Sequence, residues 1–197
     1  MRPPTGRRGP ELTQDHPVSL IERLFTAPVA SRPFGEPVAI GDHMRQSAAL
    51  AEADGASPSL VVAALLHDVA YLLGPEAGEE SSIETDHAAV AAGWLERWFP
   101  PTVAQPVRLH VEAKRYLALT DSGYAAQLSA ESTRTLVLQG GVMTAAQAER
   151  FERDPHFDSA VRLRRFDERG KDPGVVAPPI AHYRSLIESV LEVAAGD

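Results

Sequence analysis

The sequence has no cysteine among its 197 residues. This absence excludes disulfide bonds, thiolate zinc sites and cysteine nucleophiles. A metal site in this chain must therefore be built from histidine, aspartate and glutamate side chains. That ligand set suits iron, manganese or zinc.

The sequence also lacks a long apolar run. No segment approaches the roughly 18 consecutive apolar residues that indicate a membrane-spanning helix. The first 20 residues contain Pro, Arg, Asp and Glu, whereas a secretory signal requires an apolar centre. We therefore expect a cytoplasmic protein with no membrane partner.

Positive charge is scarce, and lysine is scarcer still. The formal net charge is −8, and the 19 basic residues include two lysines, Lys114 and Lys171. This balance argues against the basic surface that neutralises nucleic-acid phosphates, so we expect no nucleic-acid partner. A small anionic substrate needs only a local basic cluster, and the rarity of lysine directs attention to Lys114.

Apolar residues recur at helical spacing along most of the chain, and no segment shows the alternation of a strand. The pattern predicts an all-α fold. We expect a single domain over residues 18–195, in a monomer or a homodimer. Residues 1–17 combine Pro, Gly and Arg without apolar periodicity, which predicts a disordered leader.

Capping residues and prolines set the predicted helix boundaries. We expect helices to begin after Asp42, Ser57, Ser129, Thr144 and Asp154. The predicted loops cover residues 27–38, 74–84 and 121–127. The predicted helices run over about 18–25, 43–53, 58–73, 85–99, 103–119, 129–138, 144–152, 154–169 and 180–191.

Adjacent residues His67 and Asp68 follow an apolar helical run, Leu60–Leu66. Burial of an ionised carboxylate at the end of such a run costs several kcal/mol unless another group compensates. A bound metal ion is a common compensation. The pair is therefore the first candidate for a functional site.

Four histidines fall one on each of four successive predicted helices: His43, His67, His87 and His110. Each spacing of 20 to 24 residues corresponds to about one helix and a turn. The four side chains can therefore converge on one cavity. With Asp68 and a later aspartate, they offer enough ligands for two metal ions.

The order His43, His67-Asp68 and then Asp167 resembles the HD superfamily of metal-dependent phosphohydrolases. His87 and His110 resemble the additional pair of its dinuclear members. Within the superfamily, the chain is most similar to bacterial PhnZ-type phosphonate oxygenases, which are relatives of inositol oxygenase. The segments that carry this similarity are Gly35-Glu36, Leu66-His67-Asp68, His110–Leu117, Leu136–Gly141 and Leu163–Glu168.

The resemblance implies an HD-domain helical bundle with a central dinuclear iron site (Fe²⁺/Fe³⁺). It implies that His87 and His110 hold one iron and that Asp68 bridges to the other. The ligands implied for that other iron are His43, His67, Asp68 and Asp167.

The resemblance also implies substrate contacts. Lys114, Ser132 and Arg164 match positions that bind the phosphonate, and Glu36 matches a residue that meets a cationic amine. Arg164 and Asp167 lie three residues apart, so a helix places them on one face. The cationic roles suit the chemistry, because arginine offers planar paired donors and lysine a compact charge.

Two positions depart from the pattern of the phosphonate oxygenases. Tyr71 stands where those enzymes have a histidine that contacts the phosphonate. Pro33 and Phe34 align near the tyrosine that guards the second iron, and neither can bind a metal. We therefore keep Tyr71 as a substrate-binding candidate and expect the substrate to differ there.

The resemblance implies a mixed-valent diiron oxygenase with O₂ as cosubstrate. Such an enzyme cleaves the carbon–phosphorus bond of a small 1-hydroxyphosphonate, such as 2-amino-1-hydroxyethylphosphonate, to a carboxylate and phosphate, with Asp68 and Lys114 as catalytic candidates. The alternative is a metal-dependent phosphohydrolase that attacks a small phosphate ester or nucleotide with a metal-bound hydroxide. A non-enzymatic metal-dependent sensor is a third hypothesis, which the complete ligand set argues against.

Overall fold

The computed structural model describes residues 16–73 and 80–191, without the side chains of residues 80–85. Ten α-helices lie in these ranges. They are α1 (Pro17–Thr26), α2 (Ile40–Ala53), α3 (Pro58–Leu66), α4 (Glu80–Leu95), α5 (Pro101–Thr120), α6 (Ser122–Gln127), α7 (Ala130–Leu138), α8 (Ala145–Phe151), α9 (Phe157–Arg169) and α10 (Arg184–Val190). Short 3₁₀ helices occur at Pro28–Ser31, Val69–Leu72 and Ile180–Tyr183.

The described residues form no strand, so the all-α prediction is confirmed. None of the helices in these ranges combines the length and apolar character needed to cross a bilayer. Residues 1–15 of the predicted leader and residues 74–79 of the predicted 74–84 loop lie outside the described residues. Pro17, which we assigned to the leader, is the first residue of α1.

The core is organised around α3. Every residue of Leu60–Leu66 is buried, as expected for a helix that is apolar on all sides. α3 packs against α2, α5, α9 and α10. Ser57 caps the helix by accepting a hydrogen bond from the Leu60 amide, and Pro58 occupies its first turn, as predicted.

The long helix α5 lies between the core and the second half of the chain. It packs against α3, α4 and α9, and it continues through Pro106 rather than beginning there. On its far side, Ala113 belongs to a smaller apolar cluster with Met143, Phe151 and Ala160. α5 thus joins the region of the predicted metal ligands to α8 and α9.

Four predicted boundaries in the first half of the chain were wrong, including the end of α4, which lies at Leu95 rather than near residue 99. α2 begins at Ile40 because the Ile40 amide donates to the Arg32 carbonyl at 3.0 Å, so no side-chain cap is required; Asp42 lies inside the first turn. α3 ends at Leu66 instead of reaching residue 73. α4 begins at Glu80 rather than near residue 85, in a segment free of glycine and proline until Gly93.

Three boundaries in the second half were also wrong. The predicted connector 121–127 contains α6, which Asp121 caps through the Tyr124 amide and which the burial of Tyr124 anchors. α9 begins at Phe157, because Asp154 instead accepts a hydrogen bond from the His156 amide in a tight turn. The final helix is divided into the 3₁₀ turn at residues 180–183 and α10.

Candidate metal centre

The structure brings all six predicted metal ligands into one buried region. His43 comes from α2, His87 from α4, His110 from α5 and Asp167 from α9. His67 and Asp68 follow the last residue of α3. All six residues are at most 6% exposed: His43, His67, Asp68, His87, His110 and Asp167.

The first group of donors consists of His43, His67 and Asp167. The Nε2 atoms of the two histidines lie 3.1 Å apart. Asp167 Oδ1 lies 3.4 Å from His43 Nε2 and 3.8 Å from His67 Nε2. Two nitrogens and one oxygen therefore surround a single point.

The second group consists of Asp68, His87 and His110. The Nε2 atoms of His87 and His110 lie 3.0 Å apart. Asp68 Oδ1 lies 3.6 Å from His87 Nε2 and 3.8 Å from His110 Nε2. This group repeats the arrangement of the first with different helices.

Asp68 connects the two groups through its two carboxylate oxygens. Its Oδ2 lies 3.4 Å from His67 Nε2 and 3.7 Å from His43 Nε2, whereas its Oδ1 faces the second group. A carboxylate that offers one oxygen to each of two donor groups has the geometry of a bridging ligand.

Main-chain carbonyls determine the tautomers of three of these histidines. A carbonyl only accepts, so the ring nitrogen facing it must carry the proton and the opposite nitrogen a lone pair. The donors are Nδ1 atoms: His43 to Gly170 at 2.9 Å, His67 to Ala64 at 2.9 Å and His110 to Val107 at 2.7 Å. These hydrogen bonds to main-chain carbonyls direct the Nε2 lone pairs inward, as in metal-binding histidines.

The donor groups fit metal cations. Lone pairs on the Nε2 atoms of His43 and His67, 3.1 Å apart, repel each other unless a cation lies between them. Asp68 Oδ1 is fully buried and accepts no hydrogen bond from the described residues. Such an oxygen is costly to bury alone, and a shared metal would satisfy it.

Local backbone features place the ligands. α3 stops at Leu66, and Asp68 leaves the helical conformation (φ −106°, ψ 19°), which turns its carboxylate toward both donor groups. At the end of α9, Gly170 lies so close to α2 that an added Cβ would come within 2.4 Å of Ser47 Oγ. This close approach brings the Gly170 carbonyl to His43.

Burial, and then the neighbouring His87, lower the pKa of His110 to about 3. Burial also lowers the pKa of His87. Burial opposes the charged form of Asp68, but the surrounding histidines outweigh it and bring the pKa to about 2. At neutral pH the second group therefore presents two neutral imidazoles, His87 and His110, and the ionised carboxylate of Asp68, which are the forms that bind metals.

A cavity opens beside the two donor groups. Lys114 is buried in its wall, and its Nζ donates to the neutral hydroxyl of Thr135 at 2.8 Å. Burial and then the nearby Arg164 lower the pKa of Lys114 to about 7. The lining comprises Phe34, Glu36, Asp68, Tyr71, His87, His110, Val111, Lys114, Glu131, Ser132, Thr135, Gln139, Arg164, Asp167 and Lys171.

Arg164 is held in place from several directions. Its Nε donates to the Tyr124 hydroxyl at 2.6 Å, and one Nη donates to Ser132 Oγ at 3.1 Å. It also forms ion pairs with Asp167 and Glu168. Its neighbour in sequence, Arg165, is exposed instead and pairs with Asp121 at 2.8 Å, so α9 turns Arg164 toward the cavity.

The sequence reasoning did not identify Lys171, although lysine is rare in this chain. Lys171 Nζ lies 2.8 Å from Glu36 Oε1 and 2.8 Å from Ser132 Oγ. It also lies 3.3 Å from Glu168 Oε2. Glu168 was missed as well; its spacing of four residues from Arg164 on a helix was the available signal.

Tyr71 and Phe34, which lie at the two positions where the sequence departs from the phosphonate oxygenases, pack against the histidines. The ring of Tyr71 lies 5.4 Å from that of His87, and the ring of Phe34 lies 5.0 Å from that of His43. The Phe34 and Tyr71 rings are 6.3 Å apart. Together they form an aromatic wall on one side of the cavity.

Comparison with known proteins gives matches over most of the chain. The HD domain matches residues 40–139. Hydroxymethylphosphonate dioxygenase of Gimesia maris is 36% identical over 185 residues, which are 92% of this chain and 86% of the relative. The 1-hydroxy-2-(trimethylamino)ethylphosphonate dioxygenase (glycine-betaine-forming) of Leisingera caerulea is 33% identical over 189 residues, 94% and 96% of the two chains. A protein of Acanthamoeba polyphaga mimivirus is 31% identical over 174 residues, 86% and 80% of the two chains.

Proposed function

The chain belongs to the HD domain family, and from this premise we propose that it is a diiron oxygenase of small 1-hydroxyphosphonates. The reaction cleaves the carbon–phosphorus bond with O₂ and releases a carboxylate and phosphate. The observation that carries the proposal is the pair of buried donor groups joined by Asp68, beside a cavity whose lining includes Lys114, Arg164 and Lys171. By their names, both dioxygenase relatives act on phosphonates.

The proposed ligands form two sets that share Asp68. His43, His67, Asp68 and Asp167 would hold one iron, and Asp68, His87 and His110 would hold the other. Two bound irons would supply the redox chemistry with O₂, for which the side chains of this cysteine-free site offer no redox-active thiol.

The cavity residues bind and orient the anion in this proposal. Arg164 donates hydrogen bonds to phosphonate oxygens, and Lys114 adds a compact positive charge. The Ser132 hydroxyl, which donates to Glu168 Oε2 at 2.9 Å in the structure, turns to donate to the anion when it binds. Arg164 is fixed by Tyr124 and its two carboxylates before substrate arrives, so little ordering is required on binding. Lys114 also stabilises the negative charge of the departing phosphate.

The aromatic wall completes the site. Tyr71 and Phe34 cover the histidines and exclude water from the reacting carbon. The Tyr71 hydroxyl stands in for the histidine of related oxygenases as a contact to substrate. We further infer a small anionic phosphonate as the substrate of a cytoplasmic monomer or homodimer, without nucleic-acid or membrane partners.

Oxygen consumption and phosphate release test this function together. We expect protein loaded anaerobically with Fe²⁺ to convert hydroxymethylphosphonate with equal amounts of O₂ consumed and phosphate released once air is admitted. No phosphate should appear without O₂.

The same assay can contradict the proposal. A metal-dependent phosphohydrolase would release phosphate from a small phosphate ester or nucleotide anaerobically with Mn²⁺ and leave phosphonates intact. That result would replace the oxygenase by the hydrolase.

A further inference from the structure

The cavity contains an ion pair that the proposed chemistry does not require. Lys171 Nζ and Glu36 Oε1 lie 2.8 Å apart, and the two side chains are 11% and 4% exposed. Glu36 Oε1 also accepts a hydrogen bond from Ser129 Oγ at 2.6 Å. The carboxylate that we expected to meet a cationic amine is therefore already engaged by a cation of the chain itself.

The other carboxylate that lines the cavity outside the donor groups is also paired. Glu131 forms an ion pair with Arg134 at 2.6 Å. The described lining residues include four carboxylates. Asp68 and Asp167 belong to the proposed metal site, whereas Glu36 and Glu131 are each paired with a basic side chain. A substrate cation would find no unmatched negative charge on this wall.

Displacement of Lys171 by a substrate cation is unfavourable. The cation would have to separate a buried ion pair and leave the Lys171 ammonium beside it, and breaking such a pair is strongly destabilising. Like charges brought together in a site cost several kcal/mol. A neutral substituent requires neither change.

We propose that the Lys171–Glu36 ion pair makes the site select phosphonates whose carbon substituent is uncharged and reject those with an ammonium or trimethylammonium group next to C1. This inference rests on the proposed function, because it names the substrate class of the same cavity. It replaces the amine-binding role expected for Glu36. Lys171 acts here as a specificity residue through its contact with Glu36.

Binding and turnover should be measured separately, so that this inference and the proposed function can fail independently. We expect calorimetry on the iron-loaded protein under anaerobic conditions to give at least about tenfold tighter binding of hydroxymethylphosphonate than of 1-hydroxy-2-(trimethylamino)ethylphosphonate. Equal binding, or tighter binding of the cationic compound, would overturn the selectivity even if both are turned over. Selective binding without turnover would instead contradict the oxygenase function.

Substitution of Lys171 tests the assignment to this residue. Lys171→Met keeps the length of the side chain, removes its charge and frees Glu36. We expect the binding preference for the neutral phosphonate to fall about tenfold. The exposed Arg153→Met, which removes the same charge outside the cavity, is the matched control and should leave the preference unchanged.

A double substitution separates charge from structure. In Lys171→Met/Glu36→Gln, the increase in binding affinity for the cationic compound that Lys171→Met produces should disappear, because the freed carboxylate is removed too. If Lys171→Met weakens both ligands equally, Lys171 is structural and the inference is wrong. Lys171→Gln, which keeps a hydrogen-bond donor for Ser132, serves if Lys171→Met does not fold.

Discussion

Asp68 is the residue on which both donor groups depend. It lies within 3.8 Å of the Nε2 atoms of all four histidines, and each of its oxygens faces a different pair. No other described carboxylate contacts both groups. Substitution of Asp68 should therefore reduce metal binding and activity more than substitution of any one of the four histidines.

Asp68→Asn tests this dependence. The amide keeps the shape of the side chain but loses the charge and one acceptor oxygen. We expect the iron content to fall from two to one or fewer per chain and the activity to fall at least about 100-fold, as measured by metal analysis and phosphate release. Asp158→Asn, an exposed site on α9, is the control; two retained irons in Asp68→Asn would exclude a bridging role.

Lys114 gives the site a characteristic pH dependence. Its pKa is lowered to about 7, chiefly by burial, so the ammonium that we propose binds the anion is lost as pH rises through that value. We expect kcat/KM to fall above about pH 7 in the wild type. In Lys114→Arg, whose guanidinium stays charged, the profile should be flatter.

The substrate phosphonate titrates identically for both proteins, so the comparison between them isolates Lys114. Parallel profiles for wild type and Lys114→Arg would show that Lys114 does not control anion binding.

At the residue scale, the spacing of the four histidines and the position of Asp68 predicted that these side chains converge, and the resemblance to the phosphonate oxygenases added Asp167; the structure brings all six together. We placed Arg164 inside on its spacing to Asp167, and the structure buries Arg164 and exposes Arg165. Lys171 was not predicted as a site residue, because it follows α9 in a loop, where sequence spacing does not determine the direction of a side chain. Its partner Glu36 lies 135 residues away, and no local pattern links the two.

At the element scale, the contact between α2 and the end of α9 sets the orientation of His43. An added Cβ on Gly170 would lie 2.4 Å from Ser47 Oγ and 3.1 Å from the His43 carbonyl. Either helix must shift to accommodate it. The carbonyl of Gly170 that fixes the His43 tautomer would move at the same time.

Gly170→Ala is therefore expected to destabilise the protein by about 1–3 kcal/mol and to weaken iron binding at the His43 group. Gly93→Ala is the matched control, because its Cβ would meet nothing within 4 Å in an exposed turn of α4. The free energy of unfolding of that control should rise by up to about 1 kcal/mol, because alanine favours a helix more than glycine does. Chemical unfolding and metal analysis of both variants measure the difference, and equal effects of the two would contradict the packing argument.

Helix existence was predicted better than helix ends. The apolar pattern continues beyond Leu66 because Val69, Ala70 and Leu72 are also buried, so periodicity extended α3 too far. Burial is what the pattern reports, and a 3₁₀ turn buries its side chains as well as an α-helix does. The missed break matters because it is what positions Asp68.

At the scale of the whole molecule, the fold encloses imidazoles that burial keeps neutral. His87 and His110 have lowered pKa values in the folded protein, chiefly because of burial, whereas in the unfolded chain they titrate near 6.5. Below that pH the unfolded state binds more protons, so acid favours unfolding. The fold class followed from periodicity and composition, but this buried charge balance required the tertiary structure.

We expect the metal-free protein to lose stability as pH falls below about 6.5, by up to about 1.4 kcal/mol per pH unit for each of the two histidines. Urea unfolding after chelation, at pH 7.5 and 5.5, measures the loss. His110→Gln should reduce the dependence of the free energy of unfolding on pH, because one of the two buried imidazoles is removed. An unchanged free energy of unfolding between the two pH values would show that these imidazoles are not held neutral by the fold.

We propose that this chain folds around two metal ions that share Asp68. Anaerobic loading with Fe²⁺, removal of free metal and quantification of iron against protein tests it most directly. We predict two irons per chain in the wild type, with Mössbauer signals that show two coupled ions rather than isolated ones. One tightly bound ion per chain, or a preference for a metal other than iron, would contradict a dinuclear iron site.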